Sequence, residues 1–160
     1  MRILISGGTG FIGSLLLEKL TGQDHECVVL SRQRHQAAPG IRYVQSLDEI
    51  ANDDSIDAVI NLAGASLADK RWSSRYKDTI VSSRLDTTNE LVKLCRRLTL
   101  APSVFISGSA IGYYGSRGDQ PLDETATAGQ GFSSQLCQQW EQAAADVSET
   151  GARLCIIRLG

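Results

Sequence analysis

Gly7, Gly10 and Gly13 stand three residues apart, after the apolar run Ile3-Leu4-Ile5 and at the start of a helical pattern. That spacing provides, in order, a tight turn, a close backbone approach and a close contact between helix and strand. Its chemistry is phosphate binding, since the first N–H groups of a helix are unpaired and carry the positive end of the helix dipole. Gly7, Thr9, Gly10, Phe11, Ile12 and Gly13 are therefore candidate contacts to a dinucleotide, with the Thr9 hydroxyl as an added donor.

The second strand of such a fold ordinarily ends, about 20 residues past the glycines, in an acid that binds the adenosine ribose hydroxyls of NAD. Here Ser31 and Arg32 occupy that place. A carboxylate there would repel a 2′-phosphate, whereas a guanidinium grips one with charge-assisted bonds, so the expected ligand is NADP(H), with NAD(H) as the alternative. Arg34 is a further cation within reach of the same site. Leu62, Ala63 and Gly64, small or apolar at the end of the fourth strand, are expected to let the backbone approach the cofactor. Lys70, Arg71 and Trp72 follow at the crevice mouth as a candidate substrate-binding group, two cations for a phosphate or carboxylate and an indole to shield the ring. Ser83 reads as a cap or a solvent-facing hydroxyl, Arg84 as a partner for Asp86 or Asp78, and Asp123-Glu124 as solvated carboxylates or a sugar contact.

These residues need a sheet to bring them together. Short β-branched runs predict six strands, Arg2–Ser6, Glu26–Ser31, Arg42–Gln45, Asp57–Leu62, Ser103–Ser107 and Arg153–Arg158. Helical spacing predicts Phe11–Leu20, a short helix near Leu47–Asn52, a long one within Ser74–Leu98, and Phe132–Ser148, whose Phe132, Leu136, Trp140, Ala143 and Val147 share one face. This alternation implies an α/β fold of Rossmann type: a doubly wound parallel sheet in the order 3-2-1-4-5-6, helices on both faces, and a ligand crevice at the carboxyl ends of strands one and four. The segment Ala110–Gly131 reads as the longest structureless stretch, of a length that loops reach mainly when functional or disordered.

A length of 160 residues suits one domain. The 16 Lys and Arg against 18 Asp and Glu form no charged run, which speaks against nucleic acid or a membrane surface as partners. No stretch reaches the ~20 apolar residues of a membrane span. The strand pattern that begins at Arg2 leaves no room for a signal peptide, and with no membrane span this fits a reduced, cytoplasmic setting; Cys27, Cys95, Cys137 and Cys155 are widely spaced and read as buried thiols, and His25 and His35 lack neighbours at ligand spacing, so no metal site is expected. The chain stops at Gly160, straight after its sixth strand and with no element to close over a substrate at the crevice, and reads either as a fragment or as the cofactor half alone.

Taken together, the glycine turn, Asn61-Leu62-Ala63-Gly64 and the stretch from Ser107 to Gly115 resemble the extended short-chain dehydrogenase/reductase superfamily of nucleotide-sugar epimerases and dehydratases. Asp69-Lys70-Arg71-Trp72, Ser83-Arg84 and Leu136-Cys137 leading to Trp140-Glu141 are similar to its atypical branch, epimerase-family proteins of unknown substrate. The resemblance implies that residues 1–160 are the cofactor-binding N-terminal part of a longer chain whose small substrate domain is absent here, and it implies a nucleotide-sugar or small carbonyl substrate, a homo-oligomer, Ser107 beside the cofactor, and Ser109 at the position of the serine that binds the reacting oxygen. It also implies a Tyr-x-x-x-Lys pair on the next helix, where the lysine lowers the tyrosine pKa. This sequence offers Ser133 and Cys137 there, or Phe132 and Leu136 one residue earlier. Tyr113 and Tyr114 are the candidate substitutes as proton carriers, with packing or cofactor stacking as their other role. Two function classes stay open: an NADP-dependent epimerase or oxidoreductase, and a catalytically silent module that binds NADP(H) or senses its redox state.

Overall fold

All six strands form, and they assemble in the order predicted. The computed structural model describes residues Met1–Gly160. Its strands are β1 (Arg2–Ser6), β2 (Glu26–Leu30), β3 (Ile41–Val44), β4 (Ala58–Asn61), β5 (Val104–Ala110) and β6 (Arg153–Leu159). They make one sheet, β3-β2-β1-β4-β5-β6, with every pairing parallel. The order reverses between β1 and β4, so the chain leaves these strands in opposite directions and opens a crevice at their carboxyl ends.

Three α-helices cover the sheet, α1 (Phe11–Thr21), α2 (Ser74–Arg97) and α3 (Phe132–Ala145). Strand residues alternate between two faces, and each face has its own core. On one, α2, α3 and the turn after α3 bury Leu91, Val92, Leu94, Cys95, Ala144 and Val147 against Leu4, Val28, Val59 and Phe105. On the other, Leu17 of α1 packs on Ile3, Ile5, Val29 and Ile60. Helix α2 is held at its start by Ser73, whose Oγ accepts the Tyr76 N–H at 3.2 Å. Its buried residues Ile80, Arg84, Thr88, Leu91 and Cys95 recur every three or four positions, so one stripe carries the packing.

Several sequence expectations need correction. The short helix near Leu47–Asn52 is a single 3-10 turn, Leu47–Glu49, closed by a capping box in which Ser46 and Glu49 satisfy each other's backbone N–H groups. The helix starting at Phe132 ends at Ala145 and tightens to a 3-10 turn, Asp146–Thr150, before Gly151 at φ 85°. Its buried face runs through Ala144 rather than Ala143, and Phe132 stays half-buried. Strand β5 extends three residues past Ser107, because β6 pairs with it as far as Ala110. A 3-10 turn, Ile111–Tyr114, follows, so the front of the segment read as structureless is ordered. Of the four cysteines, Cys155 is exposed, on β6 at the edge of the sheet.

Candidate functional site

The glycine turn works through its backbone. Gly7 has φ 72°, in the left-handed region, and a Cβ there would stand 2.5 Å from the Leu62 carbonyl oxygen. A Cβ on Gly13 would collide with the Gly7 carbonyl, so β1, the turn and α1 can meet this closely only as glycines. Gly10 caps α1 with extended backbone and no side-chain bond, and the first turn of α1 holds no acid. The N–H groups of Phe11, Ile12 and Gly13 have no acceptor within the chain, leaving three donors at the positive end of the helix.

Beside them lies a cavity of about 790 Å³ lined by Ser6, Gly7, Thr9 and Gly10 from the turn, Leu30 to Gln33 and Gln45 from the second and third strands, and Leu62 to Ala65, Ser83 and Thr87 from the fourth strand and α2. Of the positions picked from sequence, Gly7, Thr9, Gly10, Ser31, Arg32, Leu62, Ala63 and Gly64 line it together. No carboxylate does, and Arg32 is the one charged side chain among them. Nor is Arg32 in any ion pair. Its surroundings are ordered by hydrogen bonds: Gln45 Nε2 donates to the Arg32 carbonyl at 3.3 Å, Arg34 Nε to Gln45 Oε1 at 3.2 Å, and the Gln33 N–H to Ser31 Oγ at 3.2 Å. The Ser31 hydroxyl also meets His35 Nε2 at 2.9 Å, and the His35 ring stacks on Tyr43. These free donors and this charge balance fit a phosphorylated dinucleotide.

Sequence reasoning missed Ser6, Leu30, Gln33, Gln45, Ala65, Ser83 and Thr87 as lining residues. Ser83 neither caps a helix nor faces solvent; its Oγ accepts the Ala65 N–H at 2.9 Å and donates to the Ile80 carbonyl, shaping the crevice wall. Arg84 pairs with neither Asp86 nor Asp78. It is buried, its Nη1 donating to the carbonyls of Ala65 and Ile80, both at 3.1 Å, and burial pushes its pKa down. The signal was available, because Arg84 lies four residues from both Ile80 and Thr88, on the apolar stripe.

A row of buried polar groups underlies the crevice. Ser6, Asn61 and Ser107 are partners in register across β1, β4 and β5. Ser6 Oγ donates to Asn61 Oδ1 at 2.6 Å, Asn61 Nδ2 to Thr88 Oγ1 at 2.8 Å, and Trp140 Nε1 to the same Thr88 Oγ1 at 3.0 Å. Thr88 in turn donates to the Arg84 carbonyl at 2.7 Å. Sheet, α2 and α3 are thereby joined by hydrogen bonds.

The candidate catalytic residues form a second cluster, outside the cavity lining. Ser109 Oγ donates to Glu141 Oε1 at 2.6 Å, and Arg158 closes on both oxygens of Glu141 at 2.9 and 2.8 Å. Arg158 also donates to Tyr114 Oη at 2.9 Å and lies over the Tyr113 ring at 3.6 Å. Its pKa is driven up, first by the hydrogen-bonded Glu141. Cys137, one turn before Glu141, is buried, which pushes its thiol pKa up. Lys70, Arg71 and Trp72 are exposed; Trp72 Nε1 donates to the Leu67 carbonyl at 2.8 Å and its ring meets Phe132 edge-on, while Lys70 lies over Tyr76. Asp123 Oδ1 is held locally by Thr125.

A family model described as the NAD dependent epimerase/dehydratase family matches residues 3–160. An epimerase family protein of Mycobacterium leprae is 34% identical over 160 residues, covering 99% of this chain and 52% of that protein. One from Staphylococcus saprophyticus is 39% identical over 161 residues, covering 98% and 54%. The chain thus spans about half the length of the relatives it matches. Among solved structures, human epimerase family protein SDR39U1 with NADPH superposes at TM-score 0.82 with 31% identity, over 99% of this chain and 53% of that one. UDP-glucuronic acid 4-epimerase from Bacillus cereus shares the fold at TM-score 0.79 and 17% identity.

Proposed function

This chain belongs to the NAD dependent epimerase/dehydratase family, and we propose that its crevice binds NADP(H) in preference to NAD(H), as the cofactor-binding part of an epimerase or oxidoreductase. The observation that carries the preference is the charge of the lining: Arg32 with no carboxylate beside it. A guanidinium meeting a 2′-phosphate contributes about 1.5–3 kcal/mol. The relative solved with NADPH agrees with this reading.

Each part of the crevice has its own task. The unpaired N–H groups of Phe11, Ile12 and Gly13 receive the diphosphate, with Thr9 as an added donor, and the close-packed glycines let it approach. Ser31 and Arg32 take the adenosine end, the backbone from Leu62 to Gly64 forms the floor, and Ser107, beside Asn61 in the sheet and outside the cavity lining, is the remaining proposed contact. The bound nicotinamide supplies hydride transfer. Ser109, Tyr113 and Tyr114 are proposed to act on the proton of a nucleotide-sugar or small carbonyl substrate, and Lys70, Arg71 and Trp72 to meet its anionic part. For Ser109 to reach such an oxygen, its proton must leave Glu141.

A second reading, a silent NADP(H)-binding module, is favoured by one observation: α3 presents Ser133 and Cys137 where a proton-transfer pair would stand, and Cys137 is buried. Calorimetric titration separates the ligands. NADPH is expected to bind roughly tenfold or more tightly than NADH; equal affinities would refute the preference. Consumption of NADPH over a panel of nucleotide sugars and carbonyls favours the enzyme, and binding with no consumption favours the module.

A further inference from the structure

Arg84 is the one charged residue on the buried stripe of α2, at 8% exposure. A buried cation is ordinarily accompanied by a carboxylate, because leaving water unpaired is costly. Arg84 is in no ion pair. Two backbone carbonyls and the Trp140 ring, 5.2 Å from Cζ, are its neighbours. The guanidinium lies against the crevice floor: a Cβ on Gly64 would stand 2.7 Å from Arg84 Cζ. Gly64 and Ala65, on which it rests, line the cavity. One layer of backbone therefore separates an uncompensated positive charge from the crevice, in a protein interior that screens it weakly.

We propose that Arg84 is the buried counter-charge of the crevice, acting through the Gly64–Ala65 backbone on the diphosphate of the bound dinucleotide. This rests on the reading of the crevice as a dinucleotide site. It assigns the two arginines different targets: Arg32 the 2′-phosphate, which only NADP(H) carries, and Arg84 the diphosphate, which both dinucleotides carry. Arg84 is a positioning residue in this account, since it touches the crevice floor and not the ligand. Its burial in place of a carboxylate pair is then explained by the ligand supplying the missing anion.

The test is calorimetric titration of the purified chain, wild type, Arg84→Gln and Arg84→Lys, with NADPH and with NADH, alongside each variant's thermal midpoint. Arg84→Gln is expected to weaken both dinucleotides by a similar factor, roughly tenfold. Arg84→Lys, which keeps the charge but not the planar guanidinium, is expected to stay within about threefold of wild type even where its midpoint falls. Unchanged affinity in Arg84→Gln overturns the proposal, as an effect confined to a substrate's anion would produce. Equal losses in Gln and Lys variants overturn it too, by showing a structural role alone. If the wild type binds neither dinucleotide, the crevice reading falls with it; if the wild type binds and Arg84→Gln binds equally, only the role of Arg84 falls.

Discussion

A hydroxyl that already donates to a carboxylate has no proton free for a reacting oxygen. Ser109 is in that position, and Glu141 is itself held by both arms of Arg158, so the group proposed to orient a substrate must exchange partners first. Residue chemistry elsewhere is better fixed. The Cys95 thiol is pushed by burial from an ordinary 9.0 up to about 12, and burial also raises Cys27 and Cys137. Between pH 9 and 12 the folded chain keeps a proton on Cys95 that the unfolded chain has lost. The stability this confers is complete below pH 9 and declines as pH rises toward 12. Urea midpoints are therefore expected to fall across that window, less steeply in Cys95→Ala; identical slopes would contradict the burial of that thiol. Legibility from sequence also divides at this scale. The glycines were legible because backbone geometry forbids a Cβ at Gly7 and Gly13. Arg84 was not, because a charge suggests solvent and only its spacing from Ile80 and Thr88 betrays the core.

At the scale of elements, α2 and α3 are fastened to the sheet by polar groups as well as by apolar packing. Thr88 is the shared acceptor, taking hydrogen bonds from Asn61 of β4 and Trp140 of α3. Thr88→Val keeps the shape and leaves two buried donors unmet, at about 1–3 kcal/mol each. Chemical denaturation should register a loss of that size, whereas a change below about 0.5 kcal/mol would show that water or a shifted side chain replaces the hydroxyl. The strands and the long helices were readable because period and β-branching mark them over many residues. The ends were not: β5 gains its last residues from pairing with β6, and the segment near Leu47 closes as a 3-10 turn because its capping box satisfies the donors within one turn. Both outcomes depend on partners that a local window does not contain.

On the scale of the whole molecule, the sheet reversal between β1 and β4 gathers residues from five separate segments around one crevice. Formal charge is −2 over the chain, yet the crevice wall carries a single cation and no anion, so its local charge is opposite in sign to that of the molecule. No helix is long and apolar enough to cross a membrane. The topology was legible in the alternation of strands and helices, since right-handed crossovers leave few ways to wind six parallel strands. Which polar side chains the crevice would collect was less so: Gln33, Gln45 and Thr87 carry no motif, and only the fold brings them beside Arg32 and Gly64. The second cluster, around Arg158, sits at the ends of β5 and β6 and is held by contacts among Ser109, Tyr114 and Glu141 that no spacing rule anticipates.

The central claim is that Arg32 makes the crevice selective for the phosphorylated dinucleotide, and it is tested most directly by the ratio of NADH to NADPH dissociation constants in wild type and in Arg32→Ala. The ratio is expected to be roughly 10 to 100 in the wild type and to fall to within about threefold of unity in the variant, through weaker NADPH binding with NADH binding unchanged. A ratio that stays the same after the arginine is removed would contradict the account.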